Sequence, residues 1–181
     1  MNSKSRSSLK IVKLSDEDLC KIARQIDGVE SAMIISPSEV VMAPWVRLKC
    51  QFGCDGYGQS LVCPPFTPSS EQMRKVLDTY SRGILIHFDS DADVKAIVAV
   101  IDRDIFLRGA WKAFGLGAGP CYFCKNCPVE QARCQHSEKA RPSMEACGID
   151  VFSTIKKTDF HIEVVRSRKQ CPNYYSLVLV D

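Results

Sequence analysis

The sequence predicts a single α+β domain, a mixed β-sheet flanked by helices and carrying two cysteine-rich metal loops. Three observations lead there. Apolar residues recur at helical spacing in several separate stretches, short apolar runs bounded by turn residues read as strands, and most of the ten cysteines gather in two tight groups. With 181 residues and 45% hydrophobic content, the chain can bury one core and is short for two. The expected division is a flexible tail over residues 1–13 and one metal-binding domain over 14–181.

The first helix is expected after Ser15, where Leu19, Ile22, Ala23 and Ile26 share a face and Asp18 stands at the capping-box position. Short strands follow at Ala32 to Ile35 and, past the Pro37 turn, at Glu39 to Met42. Ser69 and Gln72 form a second capping signature ahead of Met73, Val76, Leu77 and Tyr80. Gly83 to Phe88 is apolar throughout, as a buried strand should be. From Ser90 a long helix is expected to run to about Phe114 on Val94, Ile97, Val98, Ile101 and Ile105. The glycines of residues 115–120 end it. A short helix from Asp150, an alternating strand from Phe160 to Val165 and a continuous apolar strand from Leu177 to Val180 complete the chain, the terminal strands reading as hairpins.

Lysine plus arginine number 24 against 21 acids, and a formal charge of +3 gives no footprint for nucleic acid. No stretch approaches the ~20 apolar residues of a membrane helix, and the opening residues lack the apolar core of a secretory signal. A cytoplasmic protein is expected, with no membrane or nucleic-acid partner. In that compartment clustered cysteines serve metal rather than disulfides.

The cysteine groups carry the chemistry. Cys121, Cys124 and Cys127 follow one another at two-residue gaps, Pro128 comes next, and Cys134 lies six residues beyond. Such gaps let successive thiolates reach different irons of one cube, as in bacterial ferredoxins, although the fourth cysteine here departs from the ferredoxin spacing. Four thiolates would also satisfy zinc, but zinc ribbons separate two Cys-x-x-Cys knuckles by a longer stretch, so iron–sulfur is favoured.

The other group, Cys50, Cys54 and Cys63 before Pro64 and Pro65, supplies only three ligands. It opens like a radical S-adenosylmethionine motif, but its third cysteine comes too late. Gly53, Gly56 and Gly58 allow tight turns and leave N–H groups to face sulfur. The fourth ligand is expected to be Cys147, then Cys171; if neither reaches, one iron stands open to substrate. Cys20, His87 and His161 read as structural, and His136, two residues from Cys134, as a surface residue able to ligate. Glu145 and Asp150 flank Cys147 and could act as acids or bases, Asp150 more naturally as a helix cap. Lys125, Arg133, Lys139 and Arg141 surround the second group, and Arg166, Arg168 and Lys169 lie near the end; positive charge beside a cluster raises its potential and attracts an acidic redox partner. The glycines of residues 115–120 are too isolated to signal a nucleotide site.

The motifs together resemble those of a bacterial and archaeal family of predicted metal-binding proteins, a domain of unknown function. They are Cys-x-x-x-Cys ending in Cys-Pro-Pro (Cys50, Cys54, Cys63 to Pro65), Gly-Pro-Cys-x-x-Cys-x-x-Cys (Gly119 to Cys127), Cys134, and Arg-Pro-Ser-Met-Glu-Ala-x-Gly-Ile-Asp-Val (Arg141 to Val151). The resemblance implies one intact domain with metal between its halves and names no reaction. The expected function is therefore an iron–sulfur protein with up to two [4Fe–4S] clusters on Cys50, Cys54, Cys63, Cys121, Cys124, Cys127, Cys134 and Cys147, passing electrons to a redox partner. The alternatives are a redox enzyme with an open iron at Cys50, Cys54 and Cys63, and a structural zinc protein.

Overall fold

Ser15 caps the first helix through both arms of a capping box with Asp18, and α1 spans Asp16–Arg24. Its apolar face, Leu19, Ile22 and Ala23, is buried with Cys20. The computed structural model describes residues 13–167, 170 and 173–181; the expected tail, all but Lys13, lies outside the described residues, as do Arg168, Lys169, Cys171 and Pro172.

Four strands form one sheet: β1 (Val29–Ile35), β2 (Gly83–Phe88), β3 (Phe114–Leu116) and β4 (Tyr174–Leu179), in the order β1-β2-β4-β3. Every strand pairing is antiparallel, with Ile84 opposite Ile34 on one side and Val178 on the other. The α+β class is the one the sequence predicts. Parallel pairing is confined, among the described residues, to an isolated bridge between Gly117 and Ser143.

The two central strands, apart from His87 and Ser176, read as apolar runs because both sheet faces are covered. Ile84, Ile86, Phe88, Val178 and Val180 point to one face and meet α1 and the long helix α4 (Val94–Leu107). Leu85, Tyr175, Leu177 and Leu179 point to the other, against α3 (Ser70–Leu77), α5 (Val151–Ile155) and the segment Met144, Cys147 and Ile149. Ser69 and Asp150 cap α3 and α5 as their sequence signatures require.

Four expectations differ from the structure. Residues 39–42 form no strand: Pro37–Glu39 is a 3-10 turn, and Met42 makes only an isolated bridge to Ile149. The alternation from Phe160 to Val165 rests Phe160 and Ile162 on the second core, but its backbone joins no strand. The long helix starts at an Asp93 cap, not Ser90, and stops at Leu107 because Gly109 takes φ +110°. The last strand makes no hairpin but lies between β2 and β3. A helix the sequence reading did not foresee, α2, spans Trp45–Gly53 and carries Cys50.

Candidate metal centre

Pro44 opens α2, its fixed φ suited to a helix start, and Val46 anchors the helix by burial. Cys50 therefore rides on the last turn, while Cys54 at the C-cap is extended. The Arg47 guanidinium donates to the carbonyls of Thr67, Pro68 and Ala146 at 3.3, 2.5 and 3.2 Å. It thus pins α2 both to the chain beyond Cys63 and to the turn before Cys147. Between Cys54 and Cys63 the loop is tightly wound, with Gly58 at φ +70° donating to the Pro64 carbonyl at 2.8 Å. A Cβ at Gly56 would sit 3.5 Å from the sulfurs of both Cys54 and Cys63, so the loop curls both thiols toward one point.

The second run leaves β3 through Gly117, which is locked to the following motif by hydrogen bonds to Pro142 and from Met144. Gly119 turns with φ +69°, and further on Ala132 adopts the left-handed region at φ 50° to bring Cys134 back. Cys121, Cys124, Cys127 and Cys134, all half-buried, line a cavity of about 270 Å³ together with Cys63 and His136. Backbone N–H groups face the sulfurs: Leu61 donates to Cys127 Sγ at 3.5 Å, Gly56 to Cys54 Sγ at 3.4 Å and His136 to Cys134 Sγ at 3.4 Å. The first of these crosses from one cysteine run to the other. In the opposite direction, Cys63 of the first run lines the cavity of the second.

Burial pushes the Cys50 thiol up, and the neighbouring Cys54, Glu145 and Cys63 push it further. Burial also raises Cys63, opposed chiefly by Lys95. Like charges at such range resist joint ionisation, a conflict that a bound cation removes. Lys95 is itself 3% exposed, and burial lowers its pKa against the pull of Cys121, Cys63 and Glu145. Its ammonium donates to the Arg141 carbonyl at 3.3 Å. Sequence reasoning missed this lysine. The signal was there: Lys95, Val98 and Asp102 share one face of α4, and Asp102 too is buried, paired with Arg141 at 2.5 Å.

The remaining candidates are dispersed. Cys147 is 1% exposed among Met73, Leu77, Met144 and Ile149, with its thiol pushed up to about 12 by burial, and it lines neither sulfur-bearing cavity. Cys171, the second choice, lies outside the described residues. Cys20 is packed in the first core. His87 on β2 stacks on Tyr175 and lies between Glu30 and Asn173, and His161 is exposed. Asp150 caps α5, accepting from the Ser153 N–H at 2.9 Å. Glu145 shares a second cleft, of about 240 Å³, with Cys50 and Cys54, and its Oε2 is buried without a hydrogen-bond partner among the described residues. Among the described residues, no three Cys, His, Asp or Glu side chains form a compact single-ion site.

An α+β scaffold that brings Cys63 of one cysteine run into the cavity lined by Cys121, Cys124, Cys127 and Cys134 of the other is that of a cysteine-rich metal-binding protein. The donor set, soft thiolates with N–H groups aimed at them and one orphaned buried carboxylate oxygen, fits such a group. The chain belongs to the family described as predicted metal-binding protein (DUF2284), whose family model matches residues 33–180. No curated protein and no solved structure matches the chain. No helix among the described residues is long and apolar enough to cross a membrane.

Proposed function

We propose that the chain is an iron–sulfur protein holding two neighbouring [4Fe–4S] clusters, one on Cys121, Cys124, Cys127 and Cys134 and one on Cys50, Cys54 and Cys63, and that it carries electrons to a partner protein. The reciprocal contact between the runs supports this most directly: Leu61 of the first run donates to a sulfur of the second, and Cys63 lines the second run's cavity. Centres held that closely are suited to exchange electrons. N–H donors to thiolate sulfur offset the negative charge of a cluster and raise its potential.

Zinc is the competing occupant. It needs four ligands about 2.3 Å from one ion. A cluster accepts wider spacing because each thiolate binds its own iron. Lys125 in the cavity wall and Lys139 over the Phe123 ring, 4.9 Å from its centroid, add positive charge suited to an acidic redox partner.

A redox enzyme is the second reading, favoured by the open cleft at Cys50 and Cys54. The number of protein ligands per cluster separates the two. Anaerobic purification with iron, acid-labile sulfide and zinc analysis tests the main proposal, which expects a brown protein with about eight irons and eight sulfides per chain for two cubes. A colourless protein carrying zinc and no sulfide overturns it.

A further inference from the structure

We infer that Glu145 supplies the fourth ligand of the Cys50, Cys54 and Cys63 centre, through its buried carboxylate oxygen, and that this centre is therefore closed by the protein. The inference rests on the two-cluster reading above. The sulfurs supply only three ligands, and the two thiols expected from sequence to complete the set give no support: Cys147 is enclosed by core side chains and Cys171 lies outside the described residues.

Glu145 has what the site lacks. Its Oε2 is buried with no hydrogen-bond donor among the described residues, an unfavourable state for a carboxylate unless a cation compensates it. It forms no ion pair among the described residues, although Arg47 and Lys95 lie in the same region. The cleft it lines contains Cys50 and Cys54. Its position is fixed from the very run that needs it. Arg47, three residues before Cys50, and Thr67, four after Cys63, both donate to the carbonyl of Ala146, at 3.2 and 2.5 Å. The Ser143 hydroxyl accepts the Ala146 N–H at 3.1 Å from the other side. The 3-10 turn Glu145–Cys147 is thus clasped at both flanks of the first run, which is how a ligand is preorganised.

The bonding step is simple. A carboxylate lone pair forms a metal–oxygen bond, any carboxyl proton leaves to solvent, and no electron is transferred. A hard oxygen in place of a fourth thiolate makes that iron electronically distinct from its neighbours.

The test uses full-length wild type, Glu145→Gln, Glu145→Cys and Cys147→Ala, each purified and reconstituted anaerobically, with iron and sulfide counts, electron paramagnetic resonance of the reduced protein and a redox titration. Glu145→Gln keeps the shape but loses the anionic ligand, and is expected to lose about half the iron and one resonance signal, leaving the other intact. Glu145→Cys is expected to restore the iron with a shifted signal and potential. Cys147→Ala is expected to keep wild-type iron. The inference is overturned if Glu145→Gln retains wild-type iron, signals and potentials, or if Cys147→Ala loses the cluster instead. Should wild type carry zinc without sulfide, the function proposed above falls while this test still decides: loss of bound zinc in Glu145→Gln supports the ligand, and unchanged zinc overturns it.

Discussion

Gly148 is the residue at which backbone and packing demands are most sharply joined. It takes φ +79°, and a Cβ there would lie 2.1 Å from Ser70 Oγ and 3.1 Å from Ser70 Cα. Backbone strain and overpacking together predict that Gly148→Ala loses about 2–4 kcal/mol, read as a lower urea midpoint at unchanged slope. An unfolding free energy within ~0.5 kcal/mol of wild type, the usual span for neutral surface changes, would contradict this. At this scale the sequence speaks through spacing. The gaps between Cys121, Cys124 and Cys127 announce a shared centre, whereas nothing in the spacing links Glu145 to Cys50, because that link is made by Arg47 and Thr67 reaching across the fold to Ala146. Lys95 differs from Glu145 in this: its place beside Val98 and Asp102 on one face of α4 was a signal in the sequence, but what it faces was not.

Among the elements, α4 and β3 are tied to the segment after the second cysteine run by a buried ion pair. Asp102 Oδ2 accepts from Arg141 at 2.5 Å and from the Gly115 N–H at 3.0 Å, and the Asp102 side chain is 4% exposed. Removing the carboxylate strands a mostly buried guanidinium and a strand N–H. Asp102→Ala is accordingly expected to destabilise by about 3–5 kcal/mol, and a thermal-unfolding comparison showing less than ~1 kcal/mol would refute the role assigned to the pair. Capping boxes made α1 and α3 legible, and continuous apolar runs made β2 and β4 legible. The helix α2 escaped notice because its outward positions, Trp45, Leu48 and Phe52, are as apolar as its buried Val46, so no one-sided pattern marks it. The Phe160–Val165 alternation failed for the opposite reason: its pattern seats Phe160 and Ile162 on the core, yet its backbone pairs with no strand among the described residues.

For the molecule as a whole, Arg82 acts as a fastener. It donates to Leu14 O at 2.9 Å, pairs with Asp16 at 2.8 Å and holds Asp181 at 2.5 Å, joining the approach to α1, the start of β2 and the residue beyond β4. The Arg82 guanidinium keeps the Asp181 carboxyl below its usual range, with Lys13 adding to the effect. A depressed folded-state pKa means that the stabilisation is present above the ordinary aspartate pKa of about 4 and fades as pH falls below it. Asp181→Asn should therefore unfold at lower urea than wild type at pH 7, with the gap closing between about pH 4 and pH 2; a gap independent of pH would exclude the linkage. A single α+β domain was readable from length and from the spacing of the apolar runs. The strand order was not, since β4, the last strand of the sequence, lies inside the sheet between β2 and β3 rather than beside the strand before it alone.

That Cys63 shares a cavity with Cys121 to Cys134 also sets an order in time. During synthesis Cys50, Cys54 and Cys63 leave the ribosome well before the chain reaches Glu145 or the second run, and for that interval three thiols stand without the groups that face them in the folded protein. A nascent chain halted before Gly115 is accordingly expected to show these three thiols reacting faster with a thiol reagent than they do in the full chain, and equal rates would contradict this.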